Sequence, residues 1–218
     1  MNALRFTLVA DGPTDAVLLH PLKWLLISNG IVKPVEGVWA DLRQLPIPPD
    51  SLANKIAKAI DLYPCDLLFI HRDAEREPRV NRINEIQRAV KVASSDLFTN
   101  RPYVCVIPVR MTESWLLFDE VPIRRASGNP EGRNHLDIPS LNRIEEISDP
   151  KVTLHNLLRQ ATELPARRLR NFSPEKASYR LAELIDDFSP LRRLPAFGAL
   201  ERDLRELIQT AGWRNASQ

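Results

Sequence analysis

Cysteine is nearly absent from this chain: Cys65 and Cys105 are the only two in 218 residues. Both lie at or inside apolar, strand-like runs. Two thiols so far apart provide neither a zinc site nor a disulfide framework. Buried free thiols and a reducing, cytoplasmic setting are the expectation. Long hydrophobic runs are also missing, and none approaches the ~20 residues a bilayer-spanning helix needs. The first apolar run, Leu4 to Ala10, is too short for a secretory leader and is followed at once by an acid. A soluble protein without a membrane association is therefore expected. No Gly-x-x-x-x-Gly-Lys loop and no dinucleotide fingerprint occurs, so the chain is not itself a P-loop ATPase. No Gly-x-Ser-x-Gly occurs and neither cysteine has a suggestive histidine context, which leaves triad chemistry without support.

A large excess of either charge is missing as well. The net charge of +2 carries no global signature of nucleic-acid binding. Basic residues cluster locally instead, at Arg124-Arg125, Arg167-Arg168-Leu169-Arg170 and Arg192-Arg193. Such clusters contact phosphates or simply form a solvated surface. With 44% apolar and 27% charged residues, the chain has ordinary globular composition. Its length suits one domain with an elaboration.

Strand-like and helix-like segments alternate through the first half. Leu4 to Ala10, Val35 to Ala40, Asp66 to Ile70 and Tyr103 to Val109 read as strands. A helix to about Ser28 follows the first, interrupted near Pro21 and ended by Asn29-Gly30. Ser51 is placed to cap the next helix, and Arg79 to about Val92 forms another. Thr112 to Asp119 reads as a helix after the last strand. This alternation predicts an α/β fold with a parallel sheet flanked by helices. Three regions are expected: an α/β domain over 1–120, an irregular insertion or connection over 121–150, and a helical C-terminal extension over 151–218.

Two acidic patches follow apolar strands: Asp11-Gly12-Pro13-Thr14-Asp15, and His71-Arg72-Asp73-Ala74-Glu75. Ligands of open parallel sheets gather at the carboxyl ends of strands. Carboxylates at two such ends can share a divalent cation, and Mg²⁺ takes few protein oxygens and fills its shell with water or phosphate. Asp11, Asp73 and Glu75 are the candidate metal ligands. A turn with a helix cap is the competing reading of Asp11, and a first-turn carboxylate that of Asp15. His71 is either a neighbour of the site or structural. Arg72 either holds phosphate or neutralises the acids. Glu113, just after the Tyr103 to Val109 strand, is a candidate base or a member of a buried pair with Arg110. Lys151 and Lys176 are candidate phosphate contacts from the helical half.

The two patches together resemble a Toprim-type domain, in which an acidic residue and a glycine follow the first strand and an acidic-x-acidic pair follows a later one. Asp11-Gly12 and Asp73-Ala74-Glu75 match those positions, with aspartate where the family usually has glutamate. Val109-Arg110-Met111-Thr112-Glu113-Ser114-Trp115-Leu116-Leu117-Phe118-Asp119 resembles a segment of the Toprim-like DUF4276 group. Asp149-Pro150-Lys151, Lys176, Ala182 to Asp186 and Pro195-Ala196-Phe197 follow in the same order, so the resemblance spans about residues 4–208. It implies a Mg²⁺- or Mn²⁺-dependent, nuclease-like protein acting on phosphodiesters. Asp11 and Glu113 would be catalytic, and Arg72, Arg110, Lys151 and Lys176 would contact phosphate. Nucleic acid and an ATPase of bacterial defence are the implied partners. The alternative is a non-catalytic module bound to such an ATPase, and a third reading is an enzyme of small nucleotides or phosphates.

Overall fold

A computed structural model describes residues 3–93 and 101–213. It divides into two compact units, the first formed by residues 1–107 and 199–218 and the second by residues 108–198.

The first unit is built on four parallel strands, β1 (Leu4–Val9), β2 (Val35–Trp39), β3 (Leu67–His71) and β4 (Tyr103–Val106), in the order β2-β1-β3-β4. Helices α1 (Leu19–Ser28), α2 (Leu52–Leu62) and α3 (Arg79–Ala93) connect them. The expected α/β class with a parallel sheet and flanking helices is thus what the chain adopts. Central strand β3 is apolar up to His71 and buried throughout, and β1 is buried at every position but Arg5, as burial on both faces requires. The buried hydroxyl of Thr7 in β1 is satisfied by donating to the Tyr63 carbonyl at 3.0 Å. On one face of the sheet, Val9, Leu68 and Ile70 join Ile56 and Ile60 of α2 with Ile86 and Val90 of α3 in one apolar cluster. Phe6 and Phe69 meet edge to face, their ring centroids 5.3 Å apart.

Gly37 in β2 leaves room for the Phe6 ring. A Cβ at position 37 would fall 2.1 Å from Phe6 Cζ, and that ring is buried and already packed on Phe69. Overpacking of a filled core costs about 1–3 kcal/mol. Gly37→Ala is expected to lose that much in chemical denaturation, while Gly37→Ala combined with Phe6→Leu is expected to lose less than the two costs added together.

Local chemistry sets the element ends. A 3₁₀ turn over Pro13–Leu18 leads directly into α1. Pro21 therefore sits in the first turn of α1, where its missing N–H is not needed. Gly30, at φ 94°, closes the helix as its N–H bonds the Ile27 carbonyl. Ser51 caps α2 by accepting from the Asn54 N–H.

The second unit opens with a 3₁₀ turn over Thr112–Leu116, where the sequence suggested a helix to Asp119. Asp119 instead caps α4 (Glu120–Ala126), accepting from the Val121 N–H. The stretch over 121–150, expected to be irregular, thus contains most of a helix and a second 3₁₀ turn, Leu141–Glu146. Pro122 is compatible with α4 because it occupies the first turn. Helices α5 (Pro150–Ala161), α6 (Ala166–Leu169), α7 (Pro174–Leu184) and the start of α8 (Pro195–Thr210) complete the unit. Asp149 and Ser173 cap α5 and α7, each with proline at the first helical position. Trp115 packs edge to face on Phe197 at 5.1 Å, so it is a core residue. Arg124 is not a surface cation: it is buried, 2.6 Å from Glu120 and donating to the Asn134 carbonyl at 2.6 Å. Arg167, Arg168 and Arg170 are exposed.

Among the described residues, no helix is long and apolar enough to cross a membrane.

Candidate functional site at the strand reversal

The strand order turns at β1 and β3. From β1 the chain moves outward to β2, then returns to the other side of β1 to add β3 and β4. The crevice beyond the carboxyl ends of two such strands is the usual ligand position of an open parallel sheet. Both acidic patches lie there, since Asp11 follows β1 by two residues and Asp73 follows β3 by two.

Asp11 is half-exposed and held by two cations. Lys55 of α2 lies 2.8 Å from its Oδ1, and Arg72 bonds its Oδ2. Burial alone would raise this carboxyl, but the Lys55 hydrogen bond and the charges of Arg72, Lys55 and His71 outweigh it and hold the group below the usual aspartate value. Arg72 also reaches Glu85 of α3 at 3.0 Å, so one guanidinium spans two carboxylates.

His71, the last residue of β3, is fully buried. Its Nδ1 lies 3.1 Å from the Val106 carbonyl, which can only accept, so that nitrogen carries a proton. Its Nε2 faces two acids, Asp73 Oδ1 at 3.4 Å and Asp15 Oδ1 at 3.7 Å. A bare lone pair there would oppose two carboxylates, and an imidazolium matches them. Burial works against that charge, yet the contact with Asp73 and the charge of Asp15 prevail and raise the His71 pKa. Asp15 is itself buried, and its pKa is raised by desolvation and by the neighbouring Asp73 and Asp11 charges. Its Oδ2 accepts from the Gly12 N–H at 2.9 Å, so that amide is engaged within the turn. Asp73 Oδ1 is buried against His71, which is the contact that raises the histidine.

Glu75 does not turn toward this group. It adopts a left-handed backbone with φ 55° in the turn closed by the Glu77 N–H and the Ala74 carbonyl, and its exposed carboxylate lies 3.6 Å from Arg82. Among the described residues, no three histidine, cysteine, aspartate or glutamate side chains are arranged to hold a metal ion. Asp11, Asp73 and Glu75 are thus near one another in the chain topology without forming a cage. Glu113, Arg110, Lys151 and Lys176 belong to the second unit. Glu113 is half-buried in the Thr112–Leu116 turn, Arg110 has a left-handed backbone with φ 67°, Lys151 is half-buried and Lys176 is exposed.

The sequence did not point to Lys55 or Glu85. Lys55 precedes the buried Ile56 on an amphipathic helix, where a lysine reads as solvent-facing. The pairing of Asp15 with His71 had one weak signal, a histidine directly after four apolar strand residues.

Comparison with protein-family models, with curated proteins and with solved structures finds no match, so the chemistry of this site rests on its own residues.

Proposed function

We propose that the chain is a Mg²⁺- or Mn²⁺-dependent phosphodiesterase of the nuclease type, working at the β1/β3 crevice. The observation that carries this reading is the gathering of Asp11, Asp15, His71 and Asp73 with the cations Lys55 and Arg72 beyond the two strands where the sheet order reverses. The resemblance of Asp11-Gly12 and Asp73-Ala74-Glu75 to the Toprim pattern supports the same reading. The proposal rests on the first unit alone.

The residues fit a cation in one form only. A three-carboxylate cage does not fit, because Glu75 is paired with Arg82 and Asp11 with two cations. Attachment through one or two carboxylates, completed by substrate phosphate, does fit and is the habit of Mg²⁺. Asp73, whose side chain is partly exposed beyond β3, is the first such ligand, and Asp11 is the second. A bound cation would lower the pKa of an attacking water and offset charge on the phosphoryl oxygens.

The chain's own groups then have separate tasks. Arg72 and Lys55 exchange the Asp11 carboxylate for phosphate oxygens, which suit a guanidinium fork and an ammonium equally well. That exchange frees Asp11. His71 stays in place as an imidazolium and fixes Asp15 and Asp73. Cleavage assays on single- and double-stranded DNA and RNA, with Mg²⁺ or Mn²⁺ and with chelator, test the reading. Metal-dependent cleavage lost in Asp73→Ala is expected, and cleavage that survives this change places the activity elsewhere.

One observation favours a second reading. Asp11 has both oxygens engaged by cations, which suits a closed site in a non-catalytic module bound to an ATPase. That reading predicts no cleavage under any metal condition and a stable complex with the ATPase that withstands Asp73→Ala.

A further inference from the structure

A small cleft opens beside Asp11 on the other flank of the crevice. Trp39, Pro48, Pro49, Arg43, Lys55 and Asp11 line it, and its volume is about 60 Å³. Trp39 is the last residue of β2 and lies opposite Leu8 of β1, so the cleft sits at the carboxyl edge of the same sheet. The Arg43 guanidinium lies over the Trp39 ring, 5.0 Å from its centroid. The indole Nε1 of Trp39 is buried with no acceptor among the described residues.

We propose that this cleft receives the base of a nucleotide whose phosphate is held by Lys55 and Arg72, an inference that rests on the phosphodiesterase reading and names its substrate unit. Three features carry it. The walls offer stacking surfaces: the Trp39 indole, the Arg43 guanidinium beside it, and Pro48 and Pro49. Flat aromatic and guanidinium surfaces are what unstacked bases pack on. The mouth is polar and shared, since Asp11 and Lys55 belong both to the cleft and to the candidate phosphate site. The cleft is also too small to enclose a whole base, so it grips one edge and leaves the rest open, which admits a base within a strand.

Tryptophan fluorescence of the full chain tests this. The chain has four tryptophans, Trp24, Trp39, Trp115 and Trp213, and Trp39→Phe removes one emitter together with an unsatisfied donor. The probes are adenosine 5′-monophosphate, a short oligoadenylate and ribose 5-phosphate. Quenching by the first two and not by ribose 5-phosphate is expected, with the quenched fraction gone in Trp39→Phe and affinity at least about tenfold weaker in Trp39→Ala, a loss of the size that removing one base stack produces. Tighter binding of the oligomer identifies a strand as the source, and tighter binding of the monophosphate a free nucleotide. Equal binding of ribose 5-phosphate, or quenching that persists in Trp39→Phe, overturns the base cleft. Metal-dependent cleavage lost in Asp73→Ala, with no base-dependent quenching, overturns the cleft and leaves the phosphodiesterase reading intact. Base-dependent quenching without cleavage keeps a nucleotide cleft and overturns the phosphodiesterase.

Discussion

His71→Ala is expected to destabilise the first unit by about 3–5 kcal/mol, because it strips a buried cation from between Asp15 and Asp73. For a protein of this size that corresponds to a fall of about 6–20 °C in the thermal midpoint. The cost is not lost packing alone, and a double change shows this. Asp15→Asn removes one buried charge, so His71→Ala in that background is expected to cost clearly less than in the wild type. Additive costs would mean that the histidine is not acting as the counter-ion. The same cluster gives stability a pH dependence. His71 has a folded pKa above its ordinary 6.5, so its stabilisation is complete below that pH and is lost as pH rises through the folded value. Asp15 is also raised above its ordinary 3.8 and acts in the same direction at lower pH. Asp11 is lowered and opposes them, contributing above 3.8 and losing that contribution as pH falls. Denaturant midpoints are therefore expected to decline from pH 6 to pH 8, and His71→Gln is expected to flatten that decline.

Asp73→Ala is expected to lower metal-dependent cleavage on the order of 10²–10³-fold, the scale seen when a preorganised electrostatic partner of the reacting phosphate is removed. The loss should appear in kcat more than in KM, since Lys55 and Arg72 still hold the phosphate. Asp11→Asn separates two effects. It removes a ligand candidate, and it also releases Lys55 and Arg72 from their present partner. Tighter phosphodiester binding with slower turnover is the expected combination. Glu75→Gln, whose carboxylate lies with Arg82 in the turn, is expected to leave cleavage within about threefold of the wild type, the size of a weak exposed ion pair. An equal loss from Glu75→Gln and Asp73→Ala would restore the three-carboxylate arrangement that the turn geometry opposes.

The sheet was legible in the sequence because its central strands are buried on both faces. Runs such as Leu67-Leu68-Phe69-Ile70 can hardly be anything else between two turns. Capped helices were legible from their cap residues, as Ser51 shows. A proline misled where it fell in a first turn: Pro21, expected to interrupt the first helix, is accommodated at the start of α1. Short 3₁₀ turns have no strong periodicity, which is why Thr112–Leu116 resembled a helix. Asp11 and Asp73 lie two residues past β1 and β3, at the strand ends where the sequence put them. The sequence named both Asp73 and Glu75 as candidate metal ligands. The chain turns at Ala74–Glu77, and a left-handed Glu75 sends its carboxylate to Arg82. Lys55 was invisible because periodicity names a helix face but not the loop that face meets. Its partner Asp11 is 44 residues away in sequence.

The most direct test of a cation site at the β1/β3 crevice is thermal unfolding of the full chain during Mg²⁺ and Mn²⁺ titration, wild type against Asp73→Ala. A ligand that binds only the folded state stabilises it by about 2.7 kcal/mol at a hundredfold excess over Kd. With a non-hydrolysable phosphodiester present to complete the cation's shell, a saturable rise in the wild-type midpoint that is absent in Asp73→Ala is the predicted result. The same rise in both proteins, or none in either, would contradict a cation held by Asp73.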